Sequence, residues 1–157
     1  SACYSPHFKK VIGIAMINEP FCKVSETGKL EIEGKTLGII GLGRIGKLVA
    51  QRALSFGMNL VAFDPFVATE RARQLSVELL PLKDLMQVSD FVTIHVAKTP
   101  ETQNLIDAEL LAHAKPNLRV INVARGGIVN EDDLAEAVRS GKVAGAAIDV
   151  FEQLFPN

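Results

Sequence analysis

Gly41, Gly43 and Gly46 stand in the order G-x-G-x-x-G within TLGIIGLGRIGKLVA, residues 36–50. Residues of that type at that spacing are able to cradle a phosphate. Gly41 permits a tight turn from strand to helix, and Gly43 removes a side chain where a pyrophosphate must approach the backbone. Gly46 lets helix and strand pack closely, so the anion sits on the free N–H groups of the helix N-terminus. A bare glycine triplet also suits a turn that holds nothing, so its surroundings decide. Residues 37–40 form a short apolar run fit for a buried parallel strand, and Ile45, Leu48, Val49, Arg52 and Ala53 continue at helical spacing. The next apolar run, 59–63, ends in Asp64, 18 residues beyond Gly46. The interval is about 20 for the acid that accepts ribose hydroxyls in a dinucleotide fold. An aspartate there favours NAD over NADP, whose extra phosphate would face a carboxylate, and no arginine follows immediately to receive it. Asp64-Pro65 read alone also fits a plain turn.

Further along, VINVARGGIVNEDDLAEAV places Arg125 between a strand end and Gly126-Gly127, where backbone and ligand could approach closely. The guanidinium is always charged and its planar fork matches a carboxylate, which suits an anionic substrate. The competing reading is a surface arginine paired with Glu131, Asp132 or Asp133. No cluster of His, Cys and carboxylates has metal-ligand spacing, and His7 reads as an ordinary surface residue.

These groups need elements to hold them. From Lys35 onward, strand patterns at 36–41, 59–63, 77–80, 91–95, 119–123 and 143–149 alternate with helical patterns. The helical stretches run from the glycine turn to Ser55 and over 69–74, 82–88, 108–114 and 131–139. Such alternation predicts an α/β fold, a doubly wound parallel sheet of Rossmann-like type forming a single cofactor-binding domain. Sites in such sheets lie beyond the C-terminal strand ends, so Gly41, Asp64, His95, Asn122 and Asp149 are expected along one rim. Residues 1–34 read differently: Pro6, Pro20, Gly28 and Gly34 break the pattern, and the run 11–17 fits strand or helix. No repeat or low-complexity tract occurs.

Composition narrows the function classes. A chain of 157 residues with 48% hydrophobic content is about one domain long and able to bury a core. A net charge of −1 gives no basic patch for nucleic acid or an anionic membrane. The two cysteines, Cys3 and Cys22, make no disulfide framework and fit a reducing, cytoplasmic setting. The run 11–17 is too short to span a bilayer and lacks a cleavage site of signal-peptide type.

The motifs together resemble the D-isomer-specific 2-hydroxyacid dehydrogenase family, with the D-3-phosphoglycerate dehydrogenases of serine synthesis nearest among them. The resemblance runs from about Glu33 to Glu152, through GKTLGIIGLGRIGKLVAQRALSFGM, VAFDP, SDFVTIHVAKTPETQNLI, VINVARGGIVNEDDLAEAV and AGAAIDVF. It implies that Arg44 and Ile45 lie on the pyrophosphate turn and that Asp64 holds the adenosine ribose. Val96 would run along the cofactor, Val123 and Ala124 would line the nicotinamide, and Asp149 would meet its carboxamide. Arg125 would grip the carboxylate of a 2-hydroxy or 2-oxo acid substrate and polarise its carbonyl. The resemblance further implies NAD as cofactor and a homodimer formed through helices of the cofactor domain.

The departures are informative too. The family's glutamate that orients the catalytic histidine falls at position 154, which is Leu154; Glu152 is near but off register. Ala97 replaces a proline, and another proline is displaced to Pro156. The family's proton-exchanging histidine belongs to a segment beyond Asn157, and neither His95 nor His113 sits in that motif; His113 reads as an exposed helix residue. The expectation is an atypical segment 1–34, an NAD-binding domain over 35–152 and a short tail 153–157, equivalent to a cofactor domain cut from a larger enzyme or to a degenerate copy. Two functions follow: the cofactor half of an oxidoreductase, or a non-catalytic module whose partner affinity responds to NAD(H), as in corepressor relatives. The NAD domain of an adenosylhomocysteine hydrolase shares the glycine turn but not ARGG.

Overall fold

The computed structural model describes residues 32–152. Expectations for Cys3, His7, Cys22, the run 11–17, Leu154 and Pro156 lie outside those residues. Within them the chain alternates β1 (Thr36–Ile40), α1 (Arg44–Ser55), β2 (Asn59–Phe63), α2 (Thr69–Arg73), β3 (Glu78–Leu79) and α3 (Leu82–Val88). It continues through β4 (Phe91–Ile94), α4 (Ala108–Leu111), β5 (Arg119–Asn122), α5 (Glu131–Arg139) and β6 (Gly145–Ile148). The strands form one six-stranded sheet in the order β3-β2-β1-β4-β5-β6, and every neighbouring pair is parallel. The chain begins at the centre, winds out to β3, returns to lay β4 beside β1 and winds out the other way. This is the doubly wound sheet expected from the alternation, with its switch point between β1 and β4.

The central strands are covered on both faces, so their sequences read as near-continuous apolar runs rather than alternating ones. One face packs Ile40, Val92, Ile94 and Val120 against Leu85 and Met86 of α3, Leu110 and Leu111 of α4, and Leu134 and Ala137 of α5. The other packs Leu37, Ile39, Leu60 and Ala62 against Ala50 and Ala53 of α1 and Ala72 of α2. Helix α1 keeps part of the face its periodicity suggested, with Ala53 buried and Val49 packed against the core, but is rotated from the rest of it. Gly46, Ala50 and Ala53 are buried, while Ile45 and Leu48 are 56% and 43% exposed. Small residues bring this helix close to the sheet, and the larger ones are left to solvent.

Several elements are shorter than expected, each for a local reason. β1 stops before Gly41, whose φ of +96° turns the chain out of the sheet. α4 ends at Leu111 rather than Ala114, because His113 N–H and Ala114 N–H tighten onto the carbonyls of Leu110 and Leu111 and Pro116 prevents continuation. His113 therefore stands in a turn and is half-buried, not an exposed helix residue. In β3, Val77 N–H bonds to the end of α2 at Ala72 instead of to the sheet, and before β6 Val143 N–H bonds to Ala137 of α5.

At the N-terminal edge of the sheet, away from the rim, Asp90 ties strands together. Its Oδ2 accepts from Thr36 N–H at 2.8 Å, and its Oδ1 accepts from Lys115 Nζ and Asn117 Nδ2, both at 2.8 Å. Burial pushes the carboxyl pKa up, but the hydrogen bonds from Lys115, the Thr36 main chain and Asn117, with the Lys115 charge, outweigh burial and hold it below the usual value. Nothing in the sequence reading singled out this residue. Its position just before a buried strand was the available signal.

Candidate functional site

The C-terminal strand ends bring Gly41, Asp64, His95, Asn122 and Asp149 to one rim, as the parallel topology requires. The glycine turn sits at its centre. A Cβ on Gly41 would lie 2.8 Å from both the His95 carbonyl oxygen and Val96 Cγ1. One on Gly46 would collide with the carbonyl oxygen of Gly41. Gly43 differs from both: its φ of −68° suits any residue, and nothing of the protein lies within 4 Å of where its Cβ would stand. Two of the glycines are thus demanded by the protein's own packing, and the third faces open space.

Helix α1 begins at that open space without a side-chain cap and with no acid in its first turn, where Arg44 and Ile45 are exposed. In contrast, Asp107 caps α4 and Asn130 caps α5. The first-turn N–H groups of α1 carry the positive end of the helix dipole, which attracts an anion.

Asp64 is fixed from both sides. Its Oδ2 accepts from Leu42 N–H at 2.8 Å, and its Oδ1 accepts from Phe66 N–H at 2.9 Å. The second bond makes the turn that Asp64-Pro65 suggested. The first locks the carboxylate against the glycine loop. Each carboxylate oxygen keeps a lone pair for a hydroxyl donor. Phe66, just beyond, is 95% exposed.

On the other side of the switch point, His95 follows β4. Its N–H donates to Ile40 O at 2.7 Å, and its Nε2 lies 3.0 Å from Thr93 Oγ1. Burial depresses the His95 pKa below its ordinary value, which keeps the ring neutral at neutral pH. At the end of β5, Asn122 is 1% exposed and clasps the next loop: its Oδ1 accepts from Ala124 N–H at 3.1 Å, and its Nδ2 donates to Arg125 O at 3.0 Å. This clasp leaves Val123 and Arg125 exposed and Ala124 half-buried. Asp149 is exposed, with its N–H on Asn122 O at 3.0 Å.

Arg125 Nη1 donates to Ala124 O at 2.7 Å, and the guanidinium makes no ion pair among the described residues. Two of the three carboxylates that were its rival partners serve elsewhere, since Glu131 Oε1 accepts from Glu152 N–H and Asp133 Oδ2 from Ala108 N–H. The paired-arginine reading is absent from the structure. Gly126-Gly127 also differs from expectation. What approaches Gly126 is the Phe151–Glu152 backbone, and what approaches Gly127 is Lys98 with the Glu152 carboxylate. The glycines are required by the protein's own segments. A groove of about 1160 Å³ is bordered by Leu54, Met58, Leu79 and Val88, and none of the candidate groups lines it.

A model of the D-isomer-specific 2-hydroxyacid dehydrogenase, NAD-binding domain, family matches residues 16–156. The chain belongs to this family. Its resemblance extends to the D-3-phosphoglycerate dehydrogenase of Mycobacterium tuberculosis, 51% identical over 137 residues that make up 87% of this chain and 26% of that protein. The chain thus spans about a quarter of the length of this relative. D-mandelate dehydrogenase of Rhodotorula graminis superposes with a TM-score of 0.75 at 31% identity, over 96% of this chain and 42% of that one. A D-lactate dehydrogenase with NAD+ from Lactobacillus jensenii does so with a TM-score of 0.73 at 26% identity, over 93% and 42%. The cofactor of this dehydrogenase domain is NAD, and the glycine turn passes the steric test for it. The uncapped α1 N-terminus and the open space at Gly43 leave room and N–H donors for a pyrophosphate. No helix among the described residues is long and apolar enough to cross a membrane.

Proposed function

We propose that this chain supplies the cofactor half of an oxidoreductase that acts on a D-2-hydroxy acid such as 3-phosphoglycerate, interconverting it with the 2-oxo acid. The observation that carries this reading is Arg125, exposed and without an ion pair among the described residues, on a loop clasped by buried Asn122 at the same rim as the glycine turn and Asp64. Such an arginine offers a planar pair of N–H donors to a substrate carboxylate and stabilises negative charge on the neighbouring carbonyl oxygen. Gly41, Gly43, Arg44, Ile45 and Gly46 form the pyrophosphate turn, and Asp64 accepts the ribose hydroxyls. Val96, Val123 and Ala124 lie along the nicotinamide side, and Asp149 meets the carboxamide. NAD supplies the hydride chemistry when bound, and the protein supplies position and field.

In this reading the domain covers residues 35–152, works in the cytoplasm and pairs with a second copy through cofactor-domain helices. The 157-residue polypeptide assayed by itself is expected to be inactive. His95 Nε2 is engaged with Thr93 Oγ1 and His113 lies in the turn after α4, neither histidine belongs to the family's proton-exchange motif, and Leu154 stands where the orienting glutamate is expected. General acid–base catalysis contributes roughly 10²–10⁴-fold, so positioning alone leaves little turnover. Leu154 also favours a second reading, an NAD(H)-responsive binding or dimerisation module without catalysis.

The test is NADH formation from 3-phosphoglycerate, lactate and glycerate, and NADH loss with the matching 2-oxo acids. The expected result is no useful turnover while the NADH-bound chain still binds oxamate through Arg125. Rapid turnover abolished by Arg125→Ala would show that another base serves. Oxamate binding untouched by Arg125→Ala would remove the arginine from the reading.

A further inference from the structure

Three connections of the rim, those after β4, β5 and β6, meet at Glu152. Its N–H donates to Glu131 Oε1 at 2.8 Å, at the start of α5. Its own Oε1 accepts from Lys98 Nζ at 3.3 Å, in the loop after β4. Beneath them lie Gly126 and Gly127. Gly126 is so close to the carbonyl of Phe151 that a Cβ has no room, and Gly127, at φ +78°, meets both Lys98 Nζ and Glu152 Oε1. Gly127 O in turn accepts from Asn104 N–H at 2.8 Å.

Arg125 is the residue between this assembly and the Asn122 clasp. On its N-terminal side, Asn122 holds Ala124 N–H and Arg125 O. On its C-terminal side no side chain among the described residues hydrogen-bonds the loop directly. The Gly126-Gly127 backbone is held by Asn104 N–H on Gly127 O and by the Phe151–Glu152 segment pressed on it, and Lys98 and Glu131 fasten that segment. We propose that Lys98 and Glu152 are positioning residues that hold the C-terminal side of the Arg125 loop, so that the guanidinium is presented to an anionic substrate from a fixed backbone. The inference builds on the role proposed for Arg125. Both charged groups are partly exposed, so the pair adds little to global stability. Its effect falls on the loop.

The experiment is amide hydrogen exchange on the full chain, which needs no ligand. In Lys98→Met, exchange at Ala124, Asn104 and Glu152 is expected to quicken about threefold, as local opening becomes easier, while Ile39 and Val92 in the central strands keep their rates. Lys98→Arg, which preserves the cation, should restore the slow rates, as should the charge-swapped pair Lys98→Glu with Glu152→Lys. Unchanged exchange at Ala124 and Asn104 in Lys98→Met overturns the inference. So does an acceleration that spreads to Ile39 and Val92, which marks a general structural role, and so does failure of Lys98→Arg to restore. The role of Arg125 stands or falls separately, on oxamate binding by the NADH-loaded wild type against Arg125→Ala.

Discussion

Asp64 and Gly43 make the most direct claims at the scale of single residues. Asp64 presents a carboxylate already oriented by Leu42 and Phe66 N–H groups, so a ligand finds it without reordering, and a 2′-phosphate would face its charge. Calorimetric titration is expected to show NAD(H) bound at least tenfold more tightly than NADP(H), about 1.4 kcal/mol. Equal affinities would rule out the assignment of Asp64. Gly43 adopts an extended conformation open to any side chain and meets nothing nearby. Gly43→Val is therefore expected to fold with unchanged circular dichroism and to lose dinucleotide binding, because the new methyls fill the approach to the α1 N-terminus. Wild-type affinity in that variant would make the turn merely structural. The sequence pointed to both residues through spacing. It gave no sign that Asp64 also bridges two turns, because hydrogen bonds across 22 residues depend on how β1 and β2 pair.

Between elements, the decisive contacts are close approaches and ties at strand ends. Gly46→Ala puts a Cβ against the carbonyl of Gly41, a backbone atom that cannot swing aside, so α1 must shift off the sheet. A loss of about 1–3 kcal/mol is expected by urea denaturation, as for other overpacked sites. Asp90→Ala strips the acceptor from Thr36 N–H, Lys115 and Asn117 at once, with an expected cost of about 2–3 kcal/mol. A variant as stable as wild type would show that Asp90 is dispensable to the sheet edge. His95 sets a pH dependence whose sign follows from its depressed pKa. The unfolded chain takes up a proton on this ring near its ordinary pKa of about 6.5, before the folded chain does. Stability contributed by the neutral ring is therefore present above that pH and lost as pH falls toward the lower folded value. Thermal melts of His95→Gln are expected to be flatter with pH over that interval than those of wild type; parallel curves would contradict the effect.

For the whole molecule, the strand order places the rim groups of five strands along one edge on both sides of the switch point, so ligand binding draws on both halves of the sheet. NAD at about one hundred times its Kd is expected to stabilise the fold by about 2.7 kcal/mol, read as a rise in Tm, and Gly43→Val should abolish the rise. Sedimentation of the chain is expected to show self-association through the cofactor-domain helices. A monomer at high micromolar concentration would count against the proposed pairing. Much of this architecture was legible beforehand, because burial on both faces of a parallel sheet leaves continuous apolar runs, and because glycine and a distant aspartate are chemically obligatory where a dinucleotide meets a helix end. Local pattern was a poorer guide to which face of α1 is inward, since small residues rather than large ones set the helix-to-sheet distance. The tertiary structure alone decided that Arg125 has no ion pair among the described residues, that Gly126 and Gly127 make room for Phe151 and Glu152, and that Lys98, Glu131 and Glu152 converge. These depend on which loops share a strand end. Residues 98, 131 and 152 become neighbours only when β4, β5 and β6 lie side by side in register, and no spacing along the chain encodes that meeting.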